Sequence, residues 1–227
     1  MLSEADGNGE LQVAMVSHDL RGPINAIVLG VEMLRRRRLG TAEDLIAQRI
    51  YKAAKRMATL VDRVLDGATL QLGAPMVVER GPVNLEELCR DTLEELRMSH
   101  PGRELRLAAE EGVSGSWDRL RLIELLSNLV GNALQHGDPA TPIVVHARRR
   151  GEAAQIEVVN HGPTIPPELS SAIFEPFRRA PAAPRGSGVG LGLYIVAQIA
   201  AAHGGRVEVS SVRRTTRFTV TFPIGSA

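Results

Sequence analysis

The chain of 227 residues carries 27 Lys+Arg against 26 Asp+Glu, a formal charge of +1, so no global field draws nucleic acid or an anionic membrane to it. Aromatic residues make up 3%, which removes the stacking platforms on which single-strand nucleic-acid binders rely. Cys89 is the single cysteine, which excludes an internal disulfide and fits a reducing compartment, read here as cytoplasmic.

No basic region followed by an apolar run opens the chain, and the apolar stretch LGLYIVAQIAAA is too short to span a bilayer. No membrane contact is expected. From Leu20 the apolar positions Leu20, Ile24, Ile27, Val31 and Leu34 step by four and three, which predicts one stripe of a helix. His18 and Asp19 stand at the head of that stripe, where a helix gains nothing from imidazole that leucine would not supply better. Arg35 to Arg38 follow at the negative end of the helix. Gly40 is expected at the left-handed C′ position, and Thr41 with Asp44 reads as a capping box. A second stripe, Ile46, Ile50, Ala53, Met57, Leu60 and Val64, ends near Gly67, so the two helices form an antiparallel hairpin. A lone hairpin cannot bury both stripes. Two hairpins in a dimeric four-helix bundle can, and the alternative is that the rest of the chain covers them.

Gln71 to Gly81 reads as a linker or the approach to an edge strand. Beyond it Asn84 and Glu87 cap a helix reaching about Met98, ELRLAA reads as a strand, and Arg119 to Leu134 as a long helix. IVVHARRR and AQIEVVN alternate as strands, Gly190 to His203 reads as a helix, and RVEVSS with TRFTVTFP as a closing hairpin. The fold class is α+β, with one sheet covered on one face.

Four segments carry chemistry. In GSGVGLGL the glycines Gly186, Gly188, Gly190 and Gly192 alternate, with Leu191 among them, and run into an apolar helix. Missing side chains let backbone approach a ligand, and a helix N-terminus offers N–H groups to an anion, so the run reads as a phosphate cradle; a ligand-free flexible loop is the alternative. It is neither a P-loop nor a convincing dinucleotide fingerprint. In ELLSNLVGNALQHG, Asn128 and Asn132 share a helix face, where amide oxygens suit Mg²⁺ carried by a nucleotide or satisfy core polar groups. In VVNHGPTIPPE, Asn160 offers an acceptor and a donor to an adenine edge and Gly162 lets backbone lie against a flat ligand; a plain turn is the alternative. Phe177, Arg178, Arg179 and Arg185 sit on the approach to the cradle, as a lid carrying charge to phosphates or as solvated surface charge.

SHDLRGP around His18, NLVGNAL around Asn132, FEPFRR around Phe177 and GSGVGLGLYIV stand in an order that resembles sensor histidine kinases, from about Val13 to Ile224. NHGPTIPPE with NALQHG is similar to the cores of bacterial phytochrome-type and related soluble-sensor kinases. The resemblance implies a dimerisation and histidine-phosphotransfer hairpin at residues 1–72 and an ATP-binding catalytic domain, a gyrase-type ATPase α/β sandwich, at residues 73–227. It implies that His18 attacks the γ-phosphate of ATP with Asp19 orienting or deprotonating it. It further implies that Asn132 ligates Mg²⁺ with Asn128 as companion, that Gly188, Gly190 and Gly192 contact phosphate, and that the phosphoryl group passes to an aspartate of a response-regulator receiver domain. A homodimer through the hairpin is implied as well.

The chain departs from the family at several positions. Asn160 stands where relatives usually have aspartate and Thr164 where a glycine is frequent. Gly22 replaces a threonine or asparagine, and Gln135 and His136 replace lysine and tyrosine.

Overall fold

The computed structural model describes residues 23–36, 40–51, 53–54, 57, 61, 76–178 and 190–225. His18, Asp19, Gly22, Arg179, Arg185, Gly186 and Gly188 lie outside the described residues. The chain divides between Ala74 and Pro75 into two compact units.

The first unit contains helix α1, residues 23–35, and helix α2, residues 41–51 with 53, 54, 57 and 61 also helical. Arg35 Nε donates to Asp44 Oδ1 at 3.3 Å and so ties the end of one helix to the start of the next. Two expectations are corrected here. Gly40 has no left-handed φ and is instead the N-cap of α2, because its carbonyl accepts the Asp44 N–H at 2.9 Å. Asp44 forms no box with Thr41; its carboxylate holds Arg35 and the Gln48 amide, the latter at 3.0 Å.

The stripe buried within one chain also differs from the expected one. Ile24, Val28 and Val31 of α1 and Ala47 and Ala54 of α2 are buried, whereas Ile27, Leu34, Ile46, Ile50 and Met57 are exposed. Small side chains admit close helix approach, so the alanines occupy the intrachain seam and the larger residues form a neighbouring apolar face.

The second unit runs β1 (Gly81–Asn84), α3 (Leu85–Ser99), β2 (Leu105–Ala109), β3 (Ser114–Trp117), α4 (Arg119–His136), β4 (Ile143–Arg150), β5 (Ala153–His161), α5 (Gly192–Ala202), β6 (Arg206–Val212) and β7 (Thr215–Pro223). Strands β2-β4-β5-β7-β6 form one sheet, parallel only between β2 and β4. Antiparallel β1 and β3 make a separate pair. Alternation along the strands sends Val145, Ile156, Val158, Phe218 and Val220 into a core shared with Leu88 of α3, Leu125 and Leu129 of α4, and Ile195 and Ile199 of α5. The opposite face is polar. There Arg148 Nε donates to Gln155 Oε1 at 2.8 Å and Thr219 Oγ1 to Glu157 Oε2 at 3.3 Å. This is a two-layer α/β sandwich.

Asn84 Oδ1 accepts the Glu86 and Glu87 N–H groups and starts α3, and Asp118 Oδ1 accepts the Arg121 N–H and starts α4. The same Asp118 carboxylate also accepts the Glu79 N–H. Burial opposes its ionisation, but the backbone donors outweigh this and hold its carboxyl below the usual range. His203 joins two helix ends: Nδ1 contacts the Ile199 carbonyl at 2.8 Å while Nε2 accepts the Asp118 N–H at 3.0 Å. Burial pushes its pKa down. Cys89, inside α3, is fully buried and its thiol is pushed up to about 12. Among the described residues no helix is long and apolar enough to cross a membrane.

Candidate functional site

One face of α4 organises the site. Asn128, Asn132 and His136 follow each other at intervals of four and so line up along the helix. Asn128 is buried; its Nδ2 donates to the Glu124 carbonyl at 3.0 Å, and its Oδ1 faces the first residue of α5, 3.1 Å from where a Cβ on Gly192 would stand. Asn132 is half-buried, and no described group hydrogen-bonds its amide. The two asparagines therefore differ: Asn128 braces the helix pair, and the Asn132 amide has no partner among the described residues.

At the Asn128 end α5 begins with the buried Leu191 as N-cap and no side-chain cap. The first helical bond runs from Ile195 N–H to the Leu191 carbonyl at 2.9 Å. The N–H groups of Gly192, Leu193 and Tyr194 thus leave the helix end without intrahelical acceptors, beside a positive dipole. Gly190, with φ +77°, packs so closely on the preceding loop that a Cβ would lie 2.6 Å from the Arg178 carbonyl. Only glycine meets both demands. Phe177 is exposed and itself left-handed, with φ 61°. Arg178 Nε donates to Glu175 Oε2 at 2.8 Å, so its charge is engaged by a neighbour on its own loop.

At the other end of the face, Asn160, the next-to-last residue of β5, is 5% exposed, and its Nδ2 approaches the His161 carbonyl only at 3.5 Å. The same nitrogen lies 3.2 Å from where a Cβ on Gly137 would stand, at the terminus of α4. Gly162 packs on that terminus too: a Cβ there would meet the His136 carbonyl at 2.7 Å. The absent side chain of Gly162 thus makes room for protein backbone, a different use from the flat ligand expected of it. Its N–H donates to the Arg214 carbonyl at 2.8 Å.

Several residues of this end escape sequence reading. Thr216 pairs directly with Asn160 across β5 and β7, is 4% exposed, and shares a 2.9 Å hydroxyl contact with Ser211, whose Oγ accepts the Ile165 N–H. Arg213 and Arg214 form the two-residue turn between β6 and β7, both with positive φ. Arg103 reaches the carbonyls of Leu134 and Asp138 at 3.5 and 3.4 Å from its guanidinium. The two-residue turn of the closing hairpin sets Thr216 opposite Ser211, but only the β5–β7 register sets it opposite Asn160, and no sequence signal gives that.

From Asn128 to Gly137 the helix advances about 13 Å at 1.5 Å per residue. The N-terminus of α5 and the Asn160 amide thus stand at opposite ends of this stretch of α4, with Asn132 between them.

Residues 117–226 match the family described as histidine kinase-, DNA gyrase B- and HSP90-like ATPase, and residues 10–73 match the His Kinase A phospho-acceptor domain. The chain belongs to the sensor histidine kinases. It carries their catalytic core: a helical phospho-acceptor region followed by the ATPase-type α/β sandwich. The chain is 30% identical, over 99% of its length, to a bacteriophytochrome of Pseudomonas aeruginosa, of which it covers 31%. It is 32% identical, over 93% of its length, to the probable sensor histidine kinase TcrY of Mycobacterium tuberculosis, of which it covers 45%. The chain thus spans less than half the length of these curated relatives. A crystal structure of full-length ShkA in complex with AMPPNP superimposes with a TM-score of 0.79 at 27% identity, covering 95% of this chain and 46% of that one. Of the residues expected at the site, Gly190, Leu191 and Gly192 lie at the Asn128 end of the α4 face and Asn160 and Gly162 at its other end, with Asn132 between them.

Proposed function

We propose that the chain is an ATP-dependent protein-histidine kinase that phosphorylates His18 and passes the phosphoryl group to an aspartate of a response-regulator receiver domain. The observation that carries this reading is the α4 face that joins the uncapped N-terminus of α5 to Asn160. Triphosphate lies at the α5 end, where the N–H groups of Gly192, Leu193 and Tyr194 accept its charge. Adenine lies at the Asn160 end. The AMPPNP in the ShkA complex supports an adenine nucleotide as the ligand.

Mg²⁺ fits this donor set, because the half-buried Asn132 amide has no hydrogen-bond partner among the described residues and a neutral amide oxygen is a hard ligand for a cation arriving with phosphates. Once bound, the ion offsets charge on the phosphate oxygens. Asn128 holds α4 against α5 and so fixes where Asn132 points. A ring nitrogen of neutral His18 forms the new P–N bond as the bond to the departing ADP breaks, and Asp19 orients the imidazole. Gly186, Gly188, Phe177, Arg178 and Arg179 complete the phosphate side in this reading. For Arg178 to act there, its ion pair with Glu175 must open.

The large apolar residues left exposed on α1 and α2 support a homodimer joined through the hairpin, and the single cysteine fits a cytoplasmic setting. Incubation of the full chain with γ-labelled ATP and Mg²⁺ tests the reading. The expected product is an acid-labile, alkali-stable label that is absent from His18→Gln. No label, together with no ATP binding, would overturn it and favour a phosphotransfer scaffold with a degenerate site.

A further inference from the structure

We infer that the base end of this site accepts guanine as well as adenine, so that GTP is a second phosphoryl donor; the inference rests on the nucleotide reading above. Adenine presents an amino donor at position 6, and guanine presents a carbonyl acceptor there. A side chain that discriminates between them must be fixed as an acceptor or a donor. Asn160 is fixed as neither. Its amide carries an acceptor and two donors on arms that exchange by rotation about the terminal torsion.

The surroundings hold that rotation weakly. Asn160 is buried, yet among the described residues the only hydrogen bond its side chain makes is the marginal 3.5 Å approach of Nδ2 to the His161 carbonyl. With Nδ2 turned to that carbonyl, the oxygen arm is left to accept from adenine. With the amide reversed, the nitrogen arm donates to guanine; the cost is one bond at the limit of hydrogen-bond length and an Oδ1 left facing the His161 carbonyl oxygen at that separation. The neighbours are equally adaptable. Thr216 pairs with Asn160 across the strands, and its hydroxyl meets that of Ser211 at 2.9 Å with either atom able to donate. Arg214 in the hairpin turn is drawn to Asp138, Nη2 to Oδ2 at 3.8 Å, and contributes its backbone carbonyl to Gly162. No carboxylate stands at position 160 to repel a carbonyl at position 6 of the base.

Calorimetric titration of the full chain with AMPPNP and with GMPPNP, each with Mg²⁺, tests the inference. The expected dissociation constants lie within roughly tenfold of each other, since both bases pair with the same amide. Asn160→Asp, which supplies acceptors only, should shift the ratio at least about tenfold toward adenine. Guanine binding more than about a hundredfold weaker than adenine binding in the native chain overturns the inference and leaves the kinase reading standing. Failure of both nucleotides to bind overturns the two together. The native ratio decides even where the variant does not fold. Label from γ-labelled GTP that disappears in His18→Gln supplies an independent readout.

Discussion

Asn128 and Asn132 are the same residue type one helical turn apart, yet their roles separate because their neighbours differ. The Asn128 amide closes on its own helix and on Gly192. Asn128→Ala should therefore lower stability by about 1 kcal/mol, measured by denaturant unfolding. Asn132→Ala should leave unfolding nearly unchanged and weaken Mg²⁺-dependent nucleotide binding by about tenfold or more, as expected when a metal-site partner is removed. Equal effects of the two substitutions on binding would contradict this division.

A different residue sets the pH response. His203 is buried with Nε2 accepting the Asp118 N–H, a bond that only the neutral ring can make. Its folded pKa lies below the ordinary value of 6.5. The unfolded chain thus binds the proton more readily, so this contribution is intact above pH 6.5 and declines as the pH falls below it toward the folded pKa. Unfolding free energies measured from pH 7.5 downward should show this decline in the native chain. In His203→Leu the starting stability should be lower and the slope shallower.

At the scale of elements, the turn between β6 and β7 stores strain. Two-residue hairpin turns with positive φ at both positions favour Asn-Gly, and this one is Arg213-Arg214, at φ 49° and 64°. The left-handed conformation costs a side-chain-bearing residue about 1 kcal/mol or more. The ion pair from Arg214 to Asp138 is long and exposed, so it recovers little of that. Arg213→Asn with Arg214→Gly should raise stability by about 1 kcal/mol, seen as a higher thermal midpoint. The turn is also tied to the site through Gly162, so the same variant reports whether the strain matters to nucleotide affinity.

The elements also show what the sequence could and could not convey. Helices α3 and α4 and the strands of the large sheet were legible because each repeats its apolar pattern over several periods and α3 carries its cap in Asn84. β1 and β3 were not: GPVN and SGSW are four residues long and rich in glycine, proline and serine, and they become strands only by pairing with each other. In the hairpin, attention to large apolar side chains selected Ile46, Ile50 and Met57, whereas the intrachain seam is formed at Ala47 and Ala54. In the site, Asn132, Asn160 and the glycines stood out by type and spacing. Thr216 and Arg214 did not, because they come to the base end only through strand register.

For the whole molecule, the displaced apolar face is the main consequence of that alanine seam. Ile27, Leu34, Ile46, Ile50 and Met57 together would remain in water in a lone chain. Ile46→Lys with Ile50→Lys should convert a dimer to a monomer in sedimentation velocity, while the ATPase-type unit keeps its nucleotide affinity. A native chain that sediments as a monomer at micromolar concentration would refute the dimer. The two-unit division at Ala74 and Pro75 makes the comparison informative, since the substitutions fall in the first unit and the nucleotide line lies in the second.

The burial of Cys89 has a practical side. A thiol whose pKa is about 12 holds almost no thiolate at neutral pH, and the surrounding core keeps reagents from it. Because it is the single cysteine, a cysteine introduced on the surface would be the one site open to maleimide dyes in the folded protein. Fluorescent or spin-label pairs could then be installed without first removing a native residue, and slow labelling at Cys89 itself would serve as a clock for the opening of the core.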